Sequence, residues 1–431
     1  MRMETYWWKN DTHALPVSVL LLVENNAYPA DFRVRREAHA LRDAGCRVTV
    51  IAPRDSVQPW TEQIDGIGVY RFPAPRGGKG ILGYAFEFGY ATLAMLILTA
   101  WVAVRHGMDV IHAANPPDTL CLIGAVFKLF GKRFVFDHHD LAPETYLSRF
   151  TRPREDLVYR VLRALERVSY AVADVVVATN ESYRHLALTR GDKRPDRVFV
   201  VRNGPPLAYQ PLEPDPGLIR RANHLIGYIG TIGPQDGVDY WLRAIREMVF
   251  TLGRRDFLAV IIGSGDALPE VQALAKRLQI EAYVLFTGRL AEFEARRCLS
   301  AVAVCVQPDP SSPLNDKSTM NKLMEYMALG KPTVAFDLDE TRYSAGEAAL
   351  YAQPNDELEF ARRVCWLLDH PDECQRMGEI GRRRIAEALA WEYSVPNLLQ
   401  AYGGGLGLSQ RLRNAGFTVK NARTPVERAT R

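Results

Sequence analysis

Residues 321–338 read NKLMEYMALGKPTVAFDL, and this stretch decides the fold. From Thr319 to Leu329 the apolar residues recur at helical spacing. Gly330 ends the helix, Lys331 and Pro332 turn the chain, and a short β-branched and aromatic run follows. Leu323, Met327 and Ala328 fall on one side for a core, while Glu325 shares the other with Lys322 and Asn321. A helix stopped by glycine and delivered at once into an apolar strand is the repeating unit of a parallel α/β sheet.

The same alternation extends outward in both directions. LIGYIG (225–230), FLAVIIG (257–263), YVLFTG (283–288), VAVCVQP (302–308), PTVAFD (332–337) and ALYAQP (349–354) make six strands of one parallel sheet. Upstream, VSVLLLVE (17–24), RVTVIAP (47–53), GVYRFP (68–73), DVIHA (109–113), RFVFD (133–137), DVVVAT (174–179) and VFVVRN (198–203) make another. Helical stretches such as Arg33 to Ala44 and Arg154 to Ala171 separate them. Between the two sets lie RNGPP (202–206) and PLEPDPG (211–217), a proline-rich break. The expected fold is α/β, two doubly wound, Rossmann-like parallel-sheet domains facing a cleft. The boundaries are residues 1–205, then 206–402 with a last helix that crosses back, then a flexible basic tail, 403–431.

A length of 431 residues suits two such domains. Lys and Arg number 54 against 50 Asp and Glu, a net +4 that excludes a dedicated nucleic-acid binder. None of the six cysteines has C-x-x-C spacing, so free thiols in a reducing compartment are expected. Residues 1–15 lack the apolar run of a secretory signal. Gly83 to Val104 is almost wholly apolar and approaches spanning length, but a span there would cut the alternation in half. A buried or interfacial helix is expected instead.

The first strand-to-helix turn, residues 24–37, lacks G-x-G-x-x-G, which removes the main support for hydride transfer. Its Asp31, Arg33, Arg35, Arg36 and Glu37 read as a solvated helix face with charge pairs. In ANPPDTL (114–120), Asp118 is placed to cap a helix. In HHDLAPE (138–144), adjacent histidines point to opposite sides of an extended chain and no third ligand is spaced nearby, so no metal is expected. A histidine there suits a cleft residue orienting a substrate hydroxyl. Gly230 and Gly233 precede a helix as a phosphate cradle would, and Gly263 and Gly265 form either a second such turn or a tight strand-to-helix connection. The amides of Thr319, Met320 and Asn321 face a diphosphate, with Lys317 or Lys322 adding charge. Glu325 is placed to accept two hydrogen bonds from a ribose diol, or else to pair with Lys322 along its helix.

Together, HAANPPD, FDHHDLAPE, VVVATNES, VVRNGPP, IIGSGD, LFTGR and above all NKLMEYMALGKPTVAFDL with GEAALYAQPND resemble the retaining glycosyltransferases of family four, with the GT-B fold. The resemblance runs from LLLVENN to about Tyr402. It implies sugar transfer from a nucleoside-diphosphate sugar, a UDP-sugar by preference, with retained configuration and with no cofactor or obligatory metal. The acceptor, a sugar or lipid-linked sugar, would sit in the first domain and the donor in the second. The implied setting is cell-surface polysaccharide or glycolipid synthesis in the cytoplasm, with peripheral contact at the inner face of the cell membrane. By position, Glu325 matches the second Glu of the family's E-x7-E pattern, and Lys317 stands where the first would be. Thr231 and Asp236 replace the usual diphosphate-binding Arg and Lys, so Lys317 and Lys322 are expected to compensate. His139 matches the histidine beside the reacting sugar, and Arg289 lies where the backbone nears the base. The alternatives are a non-catalytic nucleotide-sugar-binding or scaffold subunit and an epimerase on the same fold.

Overall fold

The computed structural model describes residues 16–55, 57–74, 80–149 and 156–414. The first sheet is built from β1 (Ser18–Leu22), β2 (Arg47–Arg54), β3 (Thr61–Ile64), β4 (Ile67–Pro73), β5 (Val110–Ala114), β6 (Arg133–His138), β7 (Val175–Ala178) and β8 (Val198–Val200). Their order is β3-β4-β2-β1-β5-β6-β7-β8, parallel except for the β3–β4 pair. The second holds β9 (His224–Ile229), β10 (Phe257–Ile262), β11 (Val284–Gly288), β12 (Val304–Gln307), β13 (Thr333–Phe336) and β14 (Ala349–Ala352), in the order β11-β10-β9-β12-β13-β14. The strand order reverses between β1 and β5 and again between β9 and β12. At such switch points the loops leaving the carboxyl ends diverge and open a crevice. The expected fold class is the one observed.

β1, β5, β7, β10 and β12 are buried along their whole length, which is why they read as continuous apolar runs rather than alternations. The expected helix around residue 325 runs Asn321–Ala328, and its Leu323, Met324, Tyr326 and Met327 are buried against the second sheet. Ile81–His106 is one 26-residue helix. It buries only the row Ala91, Met95, Thr99 and Val102, so it is a surface helix and not a core one. The second long helix runs Leu157–Val172, and residues 154–155 of its expected span lie outside the described residues.

The expected fraying from residue 403 is corrected for the described residues. Helix Trp391–Gln400 continues through a wide turn, Ala401–Gly405, into helix Ser409–Asn414. Leu398, Tyr402, Leu406 and Leu412 enter the core of the first domain. Gly405 is required there, because a Cβ would lie 2.7 Å from Val175 and 2.9 Å from Phe199. Residues 415–431 lie outside the described residues. The C-terminal segment thus starts on the second domain and ends on the first. On the way it passes so close to the linker that a Cβ on Gly204 would sit 1.8 Å from the Leu389 carbonyl.

A polar clasp closes the opposite side. Asn180 Nδ2 donates to the Lys317 carbonyl at 2.7 Å and to Thr319 Oγ1 at 3.0 Å. Glu340 accepts from Ser182 Oγ at 2.8 Å and pairs with Arg202 at 3.4 Å. These contacts hold the loop before helix Asn321–Ala328 against the first domain.

Candidate active site

A cavity of about 1420 Å³ lies between the sheets, walled by the loops that leave their carboxyl ends. The first domain contributes Glu24 after β1, Thr119 after β5, His139 and Asp140 after β6, and Thr179 after β7. The second contributes Gly230 and Asp236 after β9, Gly263 after β10, Arg289 after β11, and Asp309 with Ser318–Asn321 after β12.

The wall on the first domain rests on a buried charge network. Asp31 caps helix Phe32–Asp43 by accepting from the Val34 amide at 2.9 Å. That cap turns Arg33 and Glu37 inward, so the solvated face expected for this helix is corrected: both are buried. Arg33 Nη2 meets Asp137 Oδ1 at 2.7 Å and Glu37 Oε1 at 3.1 Å, and its Nη1 donates to the Val201 carbonyl at 2.7 Å. Arg36 reaches the linker instead, donating to Asn203 Oδ1 at 2.9 Å and the Gly204 carbonyl at 2.8 Å. His112 Nε2 lies 3.2 Å from Glu37 and 3.3 Å from Asp137, and its Nδ1 meets the Tyr402 hydroxyl at 2.8 Å. Burial opposes its charge, but the two carboxylates outweigh it and push His112 up to about 9. Asp137, against the same burial, is held well below the usual carboxylate range by Arg33 and His139.

His139 and Arg33 are the members of this network that line the cavity. The His139 backbone amide donates to Asn115 Oδ1 at 2.6 Å, which fixes the loop. Its Nε2 lies against Asp137 Oδ2 and 2.7 Å from Arg33 Nε. A protonated ring donates to the carboxylate and a neutral one accepts from the guanidinium, so protonation selects the partner. Burial lowers its pKa and Asp137 raises it, with a net rise. His138 points the other way, among Phe136, Tyr170 and Tyr183, and burial pulls it down to about 3. It is a core histidine. Glu37, Asp137 and His139 carry ligand atoms within 4.8 Å of one another, the spacing of a cation site. Arg33 already bonds both carboxylates and supplies that positive charge. Asp118 does not cap a helix as expected; it accepts from Asn115 Nδ2 at 2.8 Å, and burial raises it to about 7.

The opposite wall is mostly backbone. A Cβ on Gly263, whose φ is +147°, would stand 1.9 Å from the Gly230 carbonyl, so these two loops touch and both glycines line the cavity. Gly233 and Gly265 do not line it. They are spent on loop packing, against Asp236 and the Ile232 carbonyl. Asp236 accepts from the Gly233 amide at 2.9 Å, and burial raises it to about 6 although Lys322 opposes. Lys322 is buried behind this loop, with Nζ 2.8 Å from Asp309 Oδ1 and 4.8 Å from the centre of the Tyr228 ring. It therefore reaches the cavity only through Asp309, and it does not pair with Glu325.

Arg289, Thr319, Met320 and Asn321 line the cavity as expected from their positions. Lys317 does not. Its Nζ turns back to the Pro313 carbonyl at 3.1 Å, since its own 3-10 turn, Asn315–Lys317, points the side chain along the loop. Glu325 is half-buried one turn into its helix, outside the cavity lining. Burial raises it to about 7, with Arg36 opposing and Glu292 reinforcing. Sequence reasoning missed Glu24 and Arg149. Glu24 ends the central strand VSVLLLVE and is raised to about 7 by burial and by Glu87. Arg149, at the end of helix Ala142–Arg149, lines the cavity from the first domain close enough to Asp236 to lower its pKa. The strand-end position could have flagged Glu24; nothing local marks Arg149.

Comparison with known proteins agrees with this architecture. The family described as "Glycosyl transferases group 1" matches residues 223–370, and the "Glycosyl transferase 4-like domain" matches residues 30–204. A 2-deoxystreptamine glucosyltransferase of Streptomyces kanamyceticus is 25% identical over 271 residues, covering 61% of this chain and 67% of that one. The MMP alpha-(1->4)-mannosyltransferase of Mycolicibacterium hassiacum is 25% identical over 309 residues, covering 69% and 71%. Among solved structures, sucrose-phosphate synthase from Thermosynechococcus elongatus superposes with a TM-score of 0.74 at 17% identity, over 91% of this chain and 99% of that one. Anabaena HepE, in complex with UDP and glucose, does so with a TM-score of 0.69 at 17% identity, over 90% and 100%. Two facing parallel sheets, a cleft at their switch points and both family matches converge: the chain belongs to the group 1, family-four-like glycosyltransferases of the GT-B fold.

Proposed function

We propose that this glycosyltransferase moves a sugar from a nucleoside-diphosphate sugar, a UDP-sugar by preference, to an acceptor hydroxyl with retention at the anomeric carbon. The observation that carries the reading is the asymmetry of the cleft, with backbone amides and glycine loops on one wall and a histidine–carboxylate set on the other. A departing diphosphate gathers negative charge, and fixed donors in a water-poor cleft stabilise it. The free amides at the start of helix Asn321–Ala328 supply such donors, since its cap, Met320, offers no side chain to them. Lys322 cancels Asp309 beside them, Arg149 adds charge from the first domain, and Arg289 borders the base. Glu325, half-buried just outside the lining, is assigned the ribose by its position in the family pattern alone. His139, fixed by Asp137 and Asn115, positions the reacting sugar. HepE has been solved with UDP, with UDP and glucose, and with UDP-glucose, which favours a uridine donor here. The exposed apolar side of helix Ile81–His106 suits a cytoplasmic enzyme working at the inner face of the cell membrane, on cell-surface polysaccharide or glycolipid.

A thermal-shift series with nucleoside diphosphates and their sugars tests the donor class, because a ligand of the native state raises the melting temperature. UDP and a UDP-sugar should shift it most, and the product should keep the donor's anomeric configuration by NMR. No shift with any nucleoside diphosphate overturns the reading. Donor binding without turnover on a broad acceptor panel would favour a non-catalytic subunit, which the replacement of the usual Arg and Lys by Thr231 and Asp236 keeps in view.

A further inference from the structure

Helix Ile81–His106 presents two chemistries. Its first turns wall the cleft with Tyr84, Glu87 and Phe88. Its outer side is apolar without a break: Leu82, Phe86, Leu93, Ile97, Trp101 and Val104 are exposed in a stripe about 33 Å long. Leu82 is 85% exposed and Val104 90%, far from a scattering of single surface leucines. Helix Cys121–Lys128 packs beside it, and this helix with the turn after it exposes Leu122, Val126, Leu129 and Phe130. Beyond that, helix Leu157–Val172 exposes Leu157, Val161 and Val168. Among the described residues, the charged side chains these three helices leave exposed are Arg105, Arg160 and Arg167, with no carboxylate among them.

We infer that this face docks on a lipid bilayer carrying anionic headgroups, and that the cleft takes from it an acceptor sugar borne on a lipid. An apolar face whose exposed charges are all arginines complements acidic headgroups over an acyl layer. A second copy of the chain would instead bring arginine against arginine. The helix lies along the bilayer rather than through it, because it connects β4 and β5 of one sheet and a crossing would pull those strands apart. The apolar face is also continuous with the site: the exposed Ala85, Gly89, Leu157 and Val161 line the cavity as well. There they border Glu24 and Glu87, carboxylates that accept from sugar hydroxyls. A lipid tail thus has an apolar exit and its sugar a polar recess on the same helix. The acceptor class rests on the proposed glycosyl transfer; the docking does not.

Flotation with vesicles, without donor or acceptor, tests the docking alone. The full chain should float with phosphatidylcholine–phosphatidylglycerol vesicles and less with phosphatidylcholine alone. Leu93→Glu with Ile97→Glu should weaken binding about tenfold or more, since both side chains already face water and the fold does not need them. Phe250→Glu, on the second domain, should leave it unchanged. Brominated lipid should quench emission that Trp101→Phe removes. No flotation, flotation indifferent to the double substitution, or a solution dimer that the double substitution dissociates would overturn the docking, the last assigning the stripe to a second copy. Where transfer is observed, the same double substitution should cut turnover on a lipid-linked acceptor in vesicles and spare it on a water-soluble acceptor; equal loss on both overturns the acceptor class.

Discussion

The two walls of the cleft solve the same problem differently. On the first domain, Arg33, Glu37, His112, Asp137 and His139 bind one another directly in a buried network, and Arg33 and His139 line the cavity. On the second, glycine loops and helix amides form the surface, and the ion pair of Lys322 with Asp309 stands behind them. The first arrangement holds a side chain in one orientation whether or not substrate is present. The second leaves room for a ligand that carries its own charge, such as a diphosphate. On the proposed function, preorganised positioning falls to the first domain and accommodating neutralisation to the second.

The comparison breaks first at Arg33. Arg33→Met leaves Asp137 and Glu37 buried with only the histidines as countercharge and should cost about 3–5 kcal/mol in denaturant unfolding of the first domain. Lys322→Met should cost less, about 1–3 kcal/mol, because burial already raises Asp309 and a proton can replace the ammonium. Equal losses would refute the division. Next come two buried histidines with opposite signs. His138 is held near 3 in the folded chain and near its ordinary 6.5 unfolded, so the unfolded state binds the proton first. Stability should therefore fall as pH drops below about 6.5, by on the order of 3 kcal/mol, and His138→Phe should remove that slope. His112 is raised to about 9, so its contribution is complete below 6.5 and is lost as pH rises through 9. Melting temperature against pH for wild type, His138→Phe and His112→Gln checks both limbs.

What was legible in the sequence follows from range. Each of the thirteen expected strands is present, because period and punctuation are local. The missed strand, β3, is polar and half exposed, but Asp65 and Gly66, with φ of 51° and 80°, form the two-residue turn that should have flagged a hairpin with β4. At the site, His139 and the strand-end glycines were readable by position. The network behind His139 was not: Arg33 meets Asp137 across 104 residues and His112 meets Tyr402 across 290. No spacing records such partners. The helix charges at 33–37 read as a solvated face because helical periodicity alone does not say which side a second segment will cover, here the linker and β6. The ordered C-terminal segment was hidden for the same reason, its leucines and Tyr402 finding their core on the other domain.

On the second domain the expected effects are smaller and fall on ligand affinity. Glu325→Gln should weaken UDP binding by about 1–2 kcal/mol, the loss of charge-assisted hydrogen bonds to a diol. With Glu325 at about 7, wild-type affinity should rise as pH passes through 7 and level off above it, and the variant should lose that dependence. Calorimetry at several pH values separates the two; an unchanged dissociation constant removes Glu325 from the ribose site. The finest discrimination concerns where the diphosphate finds its countercharge. By its position in the sequence Lys317, like Lys322, is a candidate, yet its ammonium is bound to the Pro313 carbonyl on the surface of the loop. Arg149, from the other domain, borders the cavity beside Asp236. Lys317→Ala should then change UDP affinity by less than about 0.5 kcal/mol, the range of surface substitutions, while Arg149→Ala costs more. If the order reverses, the loop must reorganise on binding to carry Lys317 into the cleft, and the second wall is less fixed than its backbone packing implies.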